Sequence, residues 1–345
     1  MKALLYHCPR DIRYETFADP QIADPGDVIV RMEKCGICGS DLHIYHGQGF
    51  SPDLGYCVGH EAVGEVVEIG GAVRRRTIGE KVMISAAVGC ARCGACLAGH
   101  VARCERGAAG CYGLSHMLEG CQADLIRVPS GDFNAATIPD GLSIDQALML
   151  TDNLPTAYFG CRNADIKPGG DVAVVGLGPI GLMAVECAFV LGASRVFAID
   201  LVPERRALAT ALGAVALDAT NAVAEIAQAT RGRMCGSIVE AVGADASVTL
   251  ALSLAGIGGT VSVIGVNLNP DFRYHLGIGF SKNLTFRIGG CSVQCHWPEL
   301  IPLIRQGRLH PERVITHEMP LSEGAQAYRL FDAREAGALK MVLTR

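Results

Sequence analysis

A chain of 345 residues, half of them hydrophobic and 42 of them glycine, has length for about two domains of ~150 residues, each with its own core and many tight turns. Its net charge of −5 gives nucleic acid no basic footprint, and no segment reaches the roughly 18 uninterrupted apolar residues that span a bilayer. The opening MKALLYHCPRDIRYE is too polar for a secretory signal, so the fifteen cysteines read as thiols and metal ligands of a cytoplasmic protein rather than a disulfide framework.

From Met1 to about Ile138 the pattern is strand-like: MKALLY, DVIVRM, GEVVEIG, GEKVMISA and ADLIRVP are short apolar runs bounded by Gly, Pro or Asp. Between the second and third of these lies GICGSDLHIYHG, closing on VGHEAVGEV. A thiol at Cys38, a hydroxyl at Ser40, an imidazole at His43 and the adjacent His60 and Glu61 sit there among glycines that permit tight turns. Zinc used in catalysis takes three Cys, His or carboxylate ligands and leaves a position open, so Cys38 and His60 are the first two candidate ligands. Taken singly, each would be read as a core residue.

Next comes GCARCGACLAGHVARCE, with Cys90, Cys93, Cys96 and Cys104 in C-x2-C-x2-C-x7-C spacing. Four thiolates so close can close a tetrahedral shell, which predicts a structural zinc site. Iron–sulfur runs have a short last gap followed by Pro, whereas Cys104 is followed by Glu105. The segment is rich in Gly and Ala and has little core of its own, so metal is expected to fasten it.

After Ser143, DQALMLTDNLPTAYFGCRNA carries helical apolar spacing with an expected break at Pro155. Strands and helices then alternate: VAVVG, PIGLMAVECAFVLG, RVFAID, PERRALATALG, GSIVEAVG, ASVTLALSLA and GTVSVIG. Such alternation predicts a doubly wound parallel sheet. VAVVGLGPIGLMAVE places Gly176, Gly178 and Gly181 in G-x-G-x-x-G register, with Pro179 and Ile180 between them, straight after a strand and opening a helix. Asp200 ends the next strand, where it can bind a ribose and repel a 2′-phosphate, so NAD is favoured over NADP. Arg205 and Arg206 follow closely enough to help receive a phosphate. The tail from about Trp297 reads as two helices and a closing strand, LKMVLTR.

In order and over essentially the whole chain, GICGSDLHIYHG, GHEAVGEVVEIG, the four-cysteine loop, VVGLGPIG and LKMVL resemble the zinc-containing medium-chain alcohol dehydrogenases. The resemblance implies an α/β protein with a GroES-like β domain, 1–154 and 297–345, and a Rossmann domain, 155–296. It also implies NAD, one catalytic and one structural Zn2+ per chain, and a homo-oligomer, dimer or tetramer. By the same likeness Ser40 and His43 form a proton relay, and Asp41 partners the zinc-bound His60.

Many members supply a second cysteine as third ligand. In LTDNLPTAYFG the matching position is Asp152, and Cys161 falls too late. An Asp in this S/T-D-x-x-P-T setting is similar to that of bacterial secondary alcohol dehydrogenases and of the formaldehyde dehydrogenase and dismutase group. Glu61 can approach the metal in related enzymes and is expected as a fourth or transient ligand. Ile264 to Val266 and Cys291 match backbone contacts to the nicotinamide carboxamide, and Lys340 matches a basic residue on the pyrophosphate. Gly39 departs from relatives that carry a basic residue there.

The implied reaction is reversible, NAD-dependent oxidation of a small-molecule alcohol to an aldehyde or ketone. An aldehyde-oxidising or dismutating enzyme with tightly held NAD, and a sugar-alcohol or threonine-type dehydrogenase, are the alternatives. A zinc-free, non-catalytic relative would lack the thiol and imidazole ligands that this chain keeps.

Overall fold

The computed structural model describes residues 1–106, 110–274 and 276–345. These form two units, Met1–Pro155 with Cys291–Arg345, and Thr156–Gly290.

In the first unit the apolar alternation of VIVRMEKCGI makes Val28–Ile37 a strand whose Val28, Val30 and Met32 are buried while Arg31 is exposed. It is central to a seven-stranded sheet. Glu61–Ile69 pairs with it antiparallel, followed outward by Lys81–Ile84 and Ala135–Thr137. On the other side the closing strand Met341–Thr344 pairs antiparallel with it, and His317–Pro320 runs parallel to that strand. Leu125–Val128 also pairs with Val28–Ile37. A smaller sheet joins Asp11–Thr16, Lys2–Cys8 and Tyr56–Cys57. The register aligns Gly36 with both Glu61 and Val342 at the end of the sheet that leads into Cys38.

The second unit is a six-stranded parallel sheet. Its order is Val215–Asp218, Arg195–Asp200, Asp171–Val175, Cys235–Glu240, Ala255–Val263, Thr285–Ile288. The continuous apolar runs predicted as strands are buried on both faces, as a parallel sheet requires. Strand order reverses between Asp171–Val175 and Cys235–Glu240, the kind of switch point where doubly wound sheets bind nucleotides.

The helical break expected at Pro155 lies earlier. Helices Ile144–Met149 and Asn153–Asn163 are separated by Leu150–Asp152, and Pro155 sits inside the first turn of the second. A first-turn proline lacks only an N–H that has no intrahelical partner there, so it is tolerated. Among the described residues no helix is long and apolar enough to cross a membrane.

Candidate active site

Val28–Ile37 delivers Cys38 to the end of its strand, where Cys38 caps the short helix Gly39–Tyr45. His60 precedes the neighbouring strand, and Asp152 occupies the break between the two helices. One ligand atom from each of Cys38, His60, Glu61 and Asp152 lies within 4.8 Å of all the others. Asp152 Oδ2 is 3.6 Å from Cys38 Sγ and 3.7 Å from His60 Nε2. Across the imidazole, His60 Nδ1 approaches Asp41 Oδ1 at 3.1 Å. The two atoms approach as an ion pair, and both are buried with no hydrogen-bond partner among the described residues. Asp41 Oδ2 accepts the N–H of Cys38 at 2.8 Å, so one carboxylate steadies two candidate ligands.

Burial pushes the Cys38 thiol up, and the nearby Asp152 carboxylate adds to this. Burial opposes a charged His60, yet the Asp41 and Asp152 carboxylates and Cys111 together outweigh it and the imidazole pKa is raised. Burial likewise disfavours ionised Asp152, but His60 beside it holds its pKa down. A buried thiol, imidazole and carboxylates drawn together in this way are short of positive charge, and a divalent cation taking mixed S, N and O donors supplies it. The donor set fits zinc.

Lys340 corrects one expectation, and Glu61 stands in the ligand cluster while pairing with Lys340. Lys340 is fully buried, and its Nζ donates to Ile37 O at 3.1 Å and to both Glu61 oxygens, at 2.7 and 2.5 Å. Its three N–H bonds are thereby used, so it does not offer an ammonium to a pyrophosphate. Glu61 Oε1 also accepts from Asn153 Nδ2 at 2.8 Å, and the same amide reaches Asp152 Oδ2 at 3.0 Å. Glu61 is thus in the cluster while also engaged by Lys340 and Asn153. A Cβ at Gly36 would strike Glu61 Oε2, which is why no larger residue fits beside the pair. Asn153, which links two carboxylates, was missed in the sequence, where it reads as an ordinary residue beside Asp152.

Ser40 Oγ lies 3.3 Å from His60 Nε2, on the ring nitrogen facing the cluster. His43 is one turn further along the same helix and partly buried. Burial lowers its pKa, against a hydrogen bond with Gln48. Cys161 is fully buried in the second unit, donates to Ala184 O at 3.3 Å, and is not a member of the ligand cluster.

The sulfurs of Cys90, Cys93, Cys96 and Cys104 also lie within 4.8 Å of one another. Backbone N–H groups of Cys90 and Cys96 point at Cys104 Sγ and Cys93 Sγ, each at 3.4 Å. The Cys96 N–H holds the Cys93 thiol down to about 6, while burial pushes Cys96 up to about 12. N–H groups aimed at sulfur favour thiolates, and four such donors fit a closed tetrahedral zinc site. The loop is anchored at its base by Asn134, whose side chain bonds both N–H and C=O of Gly89. Gln294 Nε2 in turn donates to Asn134 Oδ1 at 2.9 Å.

In the second unit Gly176 has φ +89°, a left-handed turn open to glycine, and helix Pro179–Val190 follows with Gly178 as its cap and Pro179 in its first turn. A Cβ at Gly181 would collide with Gly176 O, so helix and turn touch only because that position is bare. The helix N-terminus with its free N–H groups suits a pyrophosphate. Asp200 Oδ2 accepts the N–H of Leu177 inside this turn at 2.7 Å, and Oδ1 that of Val202 at 2.8 Å. Arg205 lies 3.9 Å from Asp200 Oδ2. Arg206 bonds Asp200 O, Leu201 O and Asp218, which commits it to the fold. Ile264 and Val266 follow strand Ala255–Val263, and Cys291 is buried at the start of the first unit's second segment.

A GroES-like sheet with a Cys–His–Asp cluster and a four-cysteine loop, in a chain that also carries a Rossmann unit, defines a zinc- and nucleotide-dependent dehydrogenase. The family model of the alcohol dehydrogenase GroES-like domain matches residues 24–140, and that of the zinc-binding dehydrogenase matches 179–306. A probable zinc-binding alcohol dehydrogenase of Mycobacterium tuberculosis is 40% identical over 99% of this chain and 88% of its own. The solved alcohol dehydrogenase of Thermus sp. ATN1 is 39% identical, covers 100% of this chain and 99% of its own, and has a TM-score of 0.93. A putative zinc-binding dehydrogenase of Sinorhizobium meliloti, solved bound to NADP, is 27% identical with a TM-score of 0.86, over 100% and 99% of the two chains. The chain belongs to the zinc-containing medium-chain alcohol dehydrogenase family, and it is a zinc-dependent oxidoreductase of alcohols that uses a nicotinamide cofactor.

Replacing Lys340 by Met strands Glu61 as a buried, unpaired carboxylate. Such a loss typically costs about 3–5 kcal/mol. Denaturant unfolding of Lys340→Met is therefore expected to show a clearly lowered midpoint, and a curve superimposable on wild type would contradict the pairing described here.

Proposed function

We propose that this enzyme oxidises small-molecule alcohols reversibly with NAD in preference to NADP, holding its catalytic zinc with Cys38, His60 and Asp152 and its structural zinc with the four-cysteine loop. The observation that carries this reading is the convergence of those three donors, with Glu61, within 4.8 Å, and with Ser40 Oγ 3.3 Å from His60 Nε2.

Zinc bound there would supply Lewis acidity, which lowers the pKa of an alcohol oxygen. NAD bound to the Rossmann unit would accept the hydride. The protein's own groups handle the proton. Ser40 stands at the cluster and hydrogen-bonds the alcohol hydroxyl, while His43, on the same helix, carries the proton towards solvent. Because burial lowers the pKa of His43, its imidazole is neutral, and able to accept, at pH 7 and somewhat below the ordinary histidine value near 6.5. Asp41 orients His60 from behind. Asp200 serves twice: it braces Leu177 in the glycine turn, and its negative charge disfavours a 2′-phosphate.

Zinc analysis of Cys38→Ala tests the ligand set. One zinc per chain should remain, in the four-cysteine loop, with activity down by several orders of magnitude; retention of two would refute the assignment.

His43→Gln should slow alcohol oxidation at neutral pH by roughly tenfold to a thousandfold and recover part of the rate at high pH, where hydroxide takes the proton. A pH–rate profile identical to wild type, or loss of zinc from this variant, would remove His43 from the relay.

Asp200→Gly should narrow the preference for NAD over NADP while raising KM for both, since the brace on Leu177 goes too. Losing a charged hydrogen bond weakens NAD by about 1.5–3 kcal/mol. If the ratio of kcat/KM for the two cofactors stays at the wild-type value, Asp200 does not read the ribose.

A further inference from the structure

Glu240 ends the strand that adjoins Asp171–Val175 at the reversal of strand order. It is fully buried, and nothing in the proposed chemistry uses it. Its Oε1 accepts the N–H groups of Val242 and Gly243, each at 2.9 Å. Its backbone carbonyl accepts those of Ile264 at 2.9 Å and Gly265 at 3.2 Å. The second carboxylate oxygen, Oε2, is buried with no hydrogen-bond partner among the described residues. Burial raises the carboxyl pKa, against the nearby Ser247 hydroxyl and the N–H groups of Gly243 and Val242. A buried acid held so incompletely costs stability relative to an apolar residue, so it calls for a role beyond packing.

The bonds join three loops at the C-terminal ends of adjacent strands. Loop 241–243 lies on the pyrophosphate turn: Ala241 N donates to Val175 O at 2.9 Å, and a Cβ at Gly176 would strike Val242 Cγ2. On its other side the same loop is pressed against the segment after Ala255–Val263. A Cβ at Gly243 would come within 2.7 Å of Val266 N, and one at Gly265 would strike Gly243 N. Glu240 therefore sits at the centre of a stack, bonded through its side chain to the middle loop and through its carbonyl to the third.

We propose that Glu240 is a positioning residue of the dinucleotide site, holding the turn at Gly176 and the segment Ile264–Val266 in one register so that the pyrophosphate and the nicotinamide end are seated together. This rests on the reading of those two segments as cofactor contacts. Asp200, on the strand at the far side of Asp171–Val175, takes its bonds from Leu177 in the turn and from Val202 rather than from loops 241–243 or 264–266. The adenosine end is therefore held chiefly from the Asp200 side of the turn, opposite Glu240.

Isothermal titration of the zinc-loaded enzyme with NADH and, separately, with AMP tests this. Glu240→Ala should weaken NADH by about tenfold or more, the scale of two lost charge-assisted bonds, while AMP changes by less than about threefold. Glu240→Gln retains an acceptor for both N–H groups and should bind NADH within about threefold of wild type. Glu240→Asp, one methylene shorter, should repeat the selective loss, which keeps the test decisive if the alanine variant does not fold. Alanine or aspartate variants that bind NADH like wild type, or that lose NADH and AMP in equal proportion, overturn the proposal. Wild-type protein that binds neither compound would instead overturn the cofactor reading, and this proposal with it.

Discussion

The ion pair between Glu61 and Lys340 is sealed from water inside the sheet, and the arrangement of the metal cluster depends on it. Each charge loses several kcal/mol of hydration on burial, and attraction repays this only when the remaining donors and acceptors are met. Here they are: the ammonium has three acceptors, and the carboxylate has the ammonium and the Asn153 amide. The pair ties the residue after His60 to the closing strand of the chain, and Asn153 extends the tie to Asp152. Three stretches far apart in sequence thus meet at one fixed point. Burial opposes the Lys340 charge, but Glu61, together with Cys38 and Asp152 nearby, outweighs it, and the Lys340 pKa is raised.

Around that point the cluster is built from groups that burial alone would neutralise. Cys38 is driven towards its thiol, whereas His60 is pulled towards its cation by Asp41. A zinc ion held there would resolve both tensions, because it would stabilise thiolate and neutral imidazole together, with Asp41 Oδ1 3.1 Å from the other ring nitrogen. The four-cysteine loop follows the same logic with a different outcome. Its backbone N–H groups face sulfur and its ligand atoms number four, so a zinc held there would have a closed shell and would fasten a loop.

The nucleotide unit relies on backbone rather than side chains. Bare positions at Gly176, Gly181, Gly243 and Gly265 let loops and a helix end approach within contact distances that any Cβ would prevent. Two carboxylates, Asp200 and Glu240, then fix the loops by accepting their N–H groups. An acid that accepts backbone N–H bonds is a compact way to hold a turn, since it replaces bonds the turn cannot make to itself.

How much of this was legible in the chain alone follows from the range of each interaction. Cys90, Cys93, Cys96 and Cys104, the glycine register from Gly176 to Gly181, and the pairing of Cys38 with His60 stand close in sequence, so spacing and residue type announced them. The alternation of apolar runs likewise announced the parallel sheet, because burial on both faces leaves a continuous hydrophobic signature. Pro155 was misread as a break because its spacing does not say whether it lies in a helix interior or a first turn. Lys340 was assigned to a pyrophosphate, although the structure buries it against Glu61. Glu240 drew no notice, and Asp200 was read for ribose alone. Those outcomes turn on which strand lies beside which and in what register, which aligns Val342, Gly36 and Glu61 across the sheet. A partner hundreds of residues away leaves no local mark, so residue chemistry was set by the sequence while the pairing of buried charges was decided only by the tertiary fold.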